Sequence, residues 1–189
     1  MKLVCGLGNP GARYANTRHN VGFLIGDQVA ARLGSSFDRN RFRSLAASAR
    51  CGRETVLLLK PQTYMNRSGE AIGPAMHFFQ LAADELLVVH DDADLPPGAI
   101  RLKVGGGTAG HKGLISIQEN LGSADFCRLR YGVGRAADPR IDLADFVLEE
   151  LSVADRRFHE ERFALAADAV LKWLTDGVAA AMNQFNGLA

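Results

Sequence analysis

Short apolar runs closed by glycine, proline or polar turns, each followed by a stretch of helical period, dictate what this chain can fold into. "KLVCGL" (Lys2 to Leu7) reads as a short buried strand, and Thr17 to Leu33 as a helix that Gly34 stops. The alternation recurs. Leu45 to Arg50 and Thr55 to Leu59 read as paired strands around "CGRE"; Pro61 ends the run and a helix begins near Ser68. "ELLVVHDDADLPPG" is a strand through Val89 that breaks into an acidic loop, "AIRLKV" is another, "GGGTAGH" precedes a helix from Lys112 to Leu121, and "CRLRYGVG" is the last clear strand. The C-terminal segment carries Phe158, Phe163, Leu165, Ala169, Val170, Trp173 and Leu174 at helical spacing, a stripe that reads as core. The expectation is an α/β fold: a mixed, largely parallel sheet flanked by helices. No repeat or linker divides it, so residues 1–189 are expected to form a single domain.

That architecture gathers function beyond the carboxyl ends of the strands. Asn9, His19, Asn66, Asp91 and His111 all fall in or beside such loops. Gly6, Gly8 and Gly11 have the G-x-G-x-x-G spacing of a dinucleotide cradle, but that reading needs a helix directly after the glycines. Pro10 lacks an N–H, "GARYANT" has no apolar period, and the best helix start, Thr17, comes about nine residues late.

The formal net charge of +1 gives no global field for nucleic acid, so any such partner must be held by a local patch. Three widely spaced cysteines (Cys5, Cys51, Cys127) match neither a disulfide framework nor a C-x-x-C motif, which suits a reducing cytoplasm. The N-terminus reaches glycine too soon for a signal peptide, and no stretch has the length of a membrane span.

His19, at a helix start, is placed where the positive end of the dipole helps keep an imidazole neutral, as a base must be. Asp91, at the same edge of the sheet, suits the carboxylate that fixes the imidazole tautomer. Asn9 and Asn66 are amides able to grip a peptide unit or a carbonyl oxygen as it becomes negative; each alone reads more readily as a turn residue, and it is the combination with His19 and Asp91 that points to a hydrolase. With no G-x-S-x-G and no cysteine in these loops, a hydrolase built from this set would use water directly. The acidic run His90, Asp91, Asp92 and Asp94 leaves open a Mg²⁺ or Mn²⁺ site and phosphoesterase chemistry, although adjacent carboxylates need not converge. "KVGGGTAGHKG" offers an anion nest flanked by Lys103, His111 and Lys112. Arg128 and Arg130, with Arg101 and Lys103, alternate along strands and so present a strip that could hold phosphate.

The segments "GLGNPGARYANTRHNVG", "KPQTYMNRSG", "HDDADLPPG" and "GGGTAGHKGL", in this order and spacing, closely resemble the bacterial peptidyl-tRNA hydrolase family over nearly the whole chain. The resemblance implies one catalytic α/β domain that cleaves the ester between a peptide and the 3′ ribose of tRNA, in the cytoplasm, as a monomer, without cofactor, metal or membrane. By motif, it implies His19 as general base, Asp91 as its supporting carboxylate and Asn9 as the residue that helps distinguish N-blocked from free aminoacyl groups. Tyr14, Tyr64, Met65 and Asn66 match positions of the substrate cleft, and Lys103 and Arg130 the clamp on the tRNA 5′-phosphate region, with Arg135 or Arg140 as a further basic residue. His111 and Lys112 stand where the family pattern reads His-Asn, so the expected amide is replaced by an ammonium at Lys112. A relative of the same fold that binds RNA without hydrolysing it is the alternative.

Overall fold

The computed structural model describes residues 1–188. The strands β1 (Lys2–Gly6), β2 (Arg39–Arg41), β3 (Ser44–Cys51), β4 (Glu54–Pro61), β5 (Leu86–Asp92), β6 (Ile100–Val104) and β7 (Cys127–Gly132) form one sheet in the order β2-β3-β4-β1-β5-β7-β6. The four central strands, β4, β1, β5 and β7, run parallel, and both margins are antiparallel. Alternation along the central strands feeds two cores. Leu3, Cys5, Leu86 and Val88 face α2 (Gly69–Phe79) and α3 (Lys112–Leu121), while Val4, Leu87 and Val89 face α1 (Val21–Arg32) and α5 (Val153–Phe185). Trp173 is 1% exposed in the second core, as its helical stripe implies.

Two glycines set how closely helix and sheet approach. A Cβ on Gly22, in the first turn of α1, would sit 2.5 Å from Leu7 N and Val89 O, and one on Gly6 would sit 2.1 Å from Gly22 O. The start of α1 therefore rests directly on β1 and β5, which brings the residues just before it to the end of β5. The spacing that resembles a dinucleotide cradle serves this close packing at Gly6, while Gly11 supplies a turn at φ 104°.

Several boundaries differ from the sequence reading. Thr17 is extended; a 3₁₀ turn, Arg18–Asn20, precedes α1. β5 continues past Val89 through Asp92, so Asp91 sits on a hydrogen-bonded ladder opposite Tyr131 rather than in a loop. β2 and the short α4 (Leu143–Leu148) carry too little apolar pattern to be read from sequence. α5 breaks at Gly177 (φ 84°), and Lys2 Nζ donates to the freed carbonyls of Trp173 (3.0 Å) and Leu174 (2.9 Å). At the sheet margin, Asn186 accepts from Leu102 N (2.7 Å) and donates to Leu102 O (2.9 Å), doing for β6 what another strand would do. None of the described helices is long and apolar enough to cross a membrane.

From β1 the chain turns toward β4, and from β5 toward β7 and β6, so the loops at the carboxyl ends of these neighbours diverge and leave a crevice.

Candidate active site

A cavity of about 500 Å³ opens at that crevice, with Asn9, His19, Asn66, Asp91 and His111 in its wall and Leu143, Val147 and Leu148 of the α4 region adding an apolar side. Its centre is a carboxylate held by two imidazoles. Both oxygens of Asp91 lie 2.9 Å from Nδ1 of His19, and Oδ1 lies 3.0 Å from Nε2 of His111.

The tautomer of His111 follows from its other nitrogen. Nδ1 accepts from the backbone N–H groups of Gly113 (3.1 Å) and Leu114 (3.3 Å), making this imidazole the N-cap of α3. Nδ1 is therefore bare, Nε2 carries the proton, and that N–H donates to Asp91. His19 likewise presents Nδ1–H to the carboxylate, which leaves its Nε2, without a protein partner among the described residues, facing the cavity. Burial pushes the Asp91 carboxyl upward, but the two imidazoles more than offset this and hold it well below the usual carboxylate range. Asp91 stays ionised.

His90, one residue earlier, is a third imidazole at this end of β5. Its Nδ1–H donates to Asp91 O (2.7 Å), its Nε2 is buried without a partner, and its ring meets that of His111 edge-on at 5.0 Å. Burial pushes it down to about 3, so the ring is neutral.

Asn9 is fixed from three directions. Its Oδ1 accepts from Met65 N (2.8 Å), and its backbone N–H and C=O pair with the side-chain amide of Asn20 (2.8 and 2.9 Å). With the oxygen so engaged, Nδ2 is the polar side-chain atom that Asn9 has left for the cavity. Asn66, exposed in the 3₁₀ turn after β4, lines the same cavity. Asn20 was not singled out from sequence. An asparagine before an apolar helix run reads as an N-cap, yet its side chain makes no cap bond and reaches back to Asn9 instead.

The ligand-type atoms of His19, Asp91 and His111 lie within 4.8 Å of one another, as metal ligands do. The donor set does not fit a cation. A metal at His111 Nε2 needs that nitrogen bare, which would put the proton on Nδ1 and break both cap bonds of α3. The acidic run diverges as well: Asp92 Oδ2 takes Arg130 Nε (2.7 Å) and Asp94 Oδ1 takes Arg135 (2.6 Å).

A family model described as peptidyl-tRNA hydrolase matches residues 3–189. The chain belongs to the peptidyl-tRNA hydrolase family. It is 48% identical to the peptidyl-tRNA hydrolase of Anaeromyxobacter dehalogenans (strain 2CP-C) over 186 residues, covering 98% of this chain and 96% of the relative. It is 44% identical to that of Syntrophomonas wolfei, with 98% and 100% covered. The crystal structure of peptidyl-tRNA hydrolase from Acinetobacter baumannii superimposes with a TM-score of 0.90 at 37% identity, covering 99% of this chain and 95% of that one.

Within this member of the peptidyl-tRNA hydrolase family, Tyr64, Met65, Lys112 and Arg135 also line the cavity. Met65 is buried and contributes its backbone N–H to Asn9, whereas Tyr64 is exposed. Tyr14 is not in the cavity wall; its ring is covered by the guanidinium of Arg13. Of the two further basic residues, Arg135 reaches the cavity and Arg140 is tied to Asp138 outside it. His111, expected beside an anion nest, is instead a partner of Asp91. The strip of Arg101, Lys103, Arg128 and Arg130 shares one face across β6 and β7. Arg128, however, is 1% exposed and donates to Gly107 O (2.8 Å) and Gly106 O (2.9 Å), so it shapes the glycine loop rather than facing solvent.

Proposed function

We propose that this chain hydrolyses the ester joining a peptide to the 3′-hydroxyl of tRNA, with water as nucleophile and His19 as general base. The observation that carries this reading is the 2.9 Å contact of His19 Nδ1 with the buried Asp91 carboxylate, which leaves an unpartnered Nε2 facing the cavity. Water donates a proton to Nε2 as its oxygen attacks the ester carbonyl. Asp91 stabilises the imidazolium so formed, and His111, held neutral by its cap, keeps the carboxylate in place. Asn9 Nδ2 and the Asn66 amide steady the developing oxyanion. The imidazolium then returns the proton to the departing ribose oxygen, releasing tRNA and a peptide carboxylic acid. Positioned base catalysis contributes roughly 10²–10⁴ and an oxyanion donor about 10²–10³.

Tyr64 and Met65, with the apolar side of the cavity, suit the peptide end, and Tyr14 would act only from outside the wall. Lys103 and Arg130 suit the tRNA phosphates. Burial and the neighbouring Arg128 and Arg130 push Lys103 down, an excess of positive charge that a phosphate would relieve. The reading carries with it one catalytic domain over residues 1–189, action in the cytoplasm as a monomer, and no metal; three unpaired cysteines fit a reducing compartment.

His19→Ala is expected to reduce turnover of N-acetyl-aminoacyl-tRNA at least about 10²-fold while circular dichroism and the thermal midpoint stay those of the parent. Near-parental turnover would reject His19 as the base. Parental activity that survives EDTA and fails in His19→Ala would separate this chemistry from a metal-dependent esterase.

A further inference from the structure

The carboxylates around the cavity are unevenly neutralised. Asp92 is paired with Arg130 and Asp94 with Arg135, but Asp91 is met only by imidazoles, of which that of His111 is locked neutral by its cap. The cavity thus holds one buried negative charge beside the reacting centre. Lys112 lines the same cavity, is exposed, and has no carboxylate within ion-pair distance among the described residues. It is the first residue of α3, where the positive end of the helix dipole disfavours an ammonium. No packing or pairing interaction explains a lysine there.

The chemistry of the substrate supplies an explanation. A peptidyl ester carries a neutral amide next to its scissile carbonyl, whereas an ester with a free α-amino group carries an ammonium below a pH of about 8. A lone buried carboxylate would attract that ammonium into the site. We propose that Lys112 is a specificity-determining residue that offsets the pull of Asp91 and repels substrates whose α-nitrogen is charged. The inference rests on the ester-hydrolase reading above. The four-carbon stem lets the ammonium follow the acyl group without a fixed contact, so Lys112 discriminates by charge rather than by hydrogen-bond geometry.

The test compares kcat/KM for N-acetyl-aminoacyl-tRNA and for the unblocked aminoacyl-tRNA, between pH 6.5 and 9, in the parent, Lys112→Met and Lys112→Arg, with thermal midpoints to confirm folding. In Lys112→Met the blocked-to-unblocked ratio at pH 6.5 falls by roughly three- to tenfold, the scale of a partly screened single charge. Lys112→Arg retains the ratio, and the gap between parent and Lys112→Met closes above a pH of about 8 as the α-ammonium loses its proton. A ratio unchanged in Lys112→Met, including the case in which both rates fall together, overturns the proposal and leaves the hydrolase reading intact. Failure of the parent to cleave the blocked substrate at all would instead remove the reading on which it rests.

Discussion

At Asn9 one side chain does two tasks with two different atoms. The oxygen holds Met65 N and so ties the loop after β1 to the loop after β4; the nitrogen is left for the proposed oxyanion contact. Asn9→Asp separates the tasks, because a carboxylate still accepts from Met65 N but offers an oxygen where the reacting carbonyl needs a donor. We expect kcat for N-acetyl-aminoacyl-tRNA to fall by about 10²–10³, with a thermal midpoint within about 3 °C of the parent. Single-turnover rates at saturating enzyme measure the chemical step directly, and a loss below about threefold would show that Asn9 is not an oxyanion donor. That Asn9 lies in the wall of a cavity was legible from its place after a buried strand. Which of its two polar atoms stays free there was not, because this depends on Met65, 56 positions away in sequence.

The elements that surround the cavity were legible where the apolar pattern is strong and missed where it is absent. β1, β4, β5 and β7 are buried apolar runs, although the polar end of β5, His90 to Asp92, reads as loop, and the start of α3 at Lys112 follows from its period. β2 consists of three exposed polar residues and owes its place to pairing with β3, and α4 is a single short stretch over the cavity; neither has a periodicity to read. The N-cap of α3 is an imidazole, outside the short polar side chains that mark helix starts, so nothing local announced that His111 both caps a helix and steadies Asp91. These two roles can be separated. His111→Ala should cost about 1 kcal/mol through loss of the cap, and should lower kcat about tenfold by freeing the carboxylate. His111→Asn restores an N-cap side chain but not the bond to Asp91, so stability should recover while kcat stays low. Denaturant midpoints and single-turnover rates on both variants check this; recovery of rate together with stability would reduce His111 to a cap alone.

Across the whole molecule, the sheet order joins residues that no local reading can join: His19 and Asp91 are 72 positions apart and meet because β1 and β5 are neighbours with α1 pressed against both. The same junction concentrates groups whose protonation the fold restrains, and this gives the protein an acid side. His90 is pushed by burial from its ordinary 6.5 to about 3. Between those values the unfolded chain binds a proton that the folded chain refuses, so stability rises with pH across the window and is lost as pH falls below about 6.5. Asp91 acts in the same direction lower down. Its folded carboxyl, desolvated but held down by the two imidazoles, contributes stability that is present above its ordinary 3.8 and is lost as pH falls further. By pH 5 the Asp91 share is not yet felt; the His90 share amounts to a loss on the order of 2 kcal/mol relative to pH 7, and His159, pushed down by burial as well, adds to it alike in parent and variant. His90→Gln removes the titrating ring while keeping a side-chain N–H for Asp91 O. Urea unfolding at pH 7 and pH 5 should therefore show the parent losing on the order of 2 kcal/mol more than His90→Gln over this interval. Equal losses in the two proteins would mean that the folded chain accepts the proton at position 90, and that the unpartnered Nε2 finds an acceptor when charged.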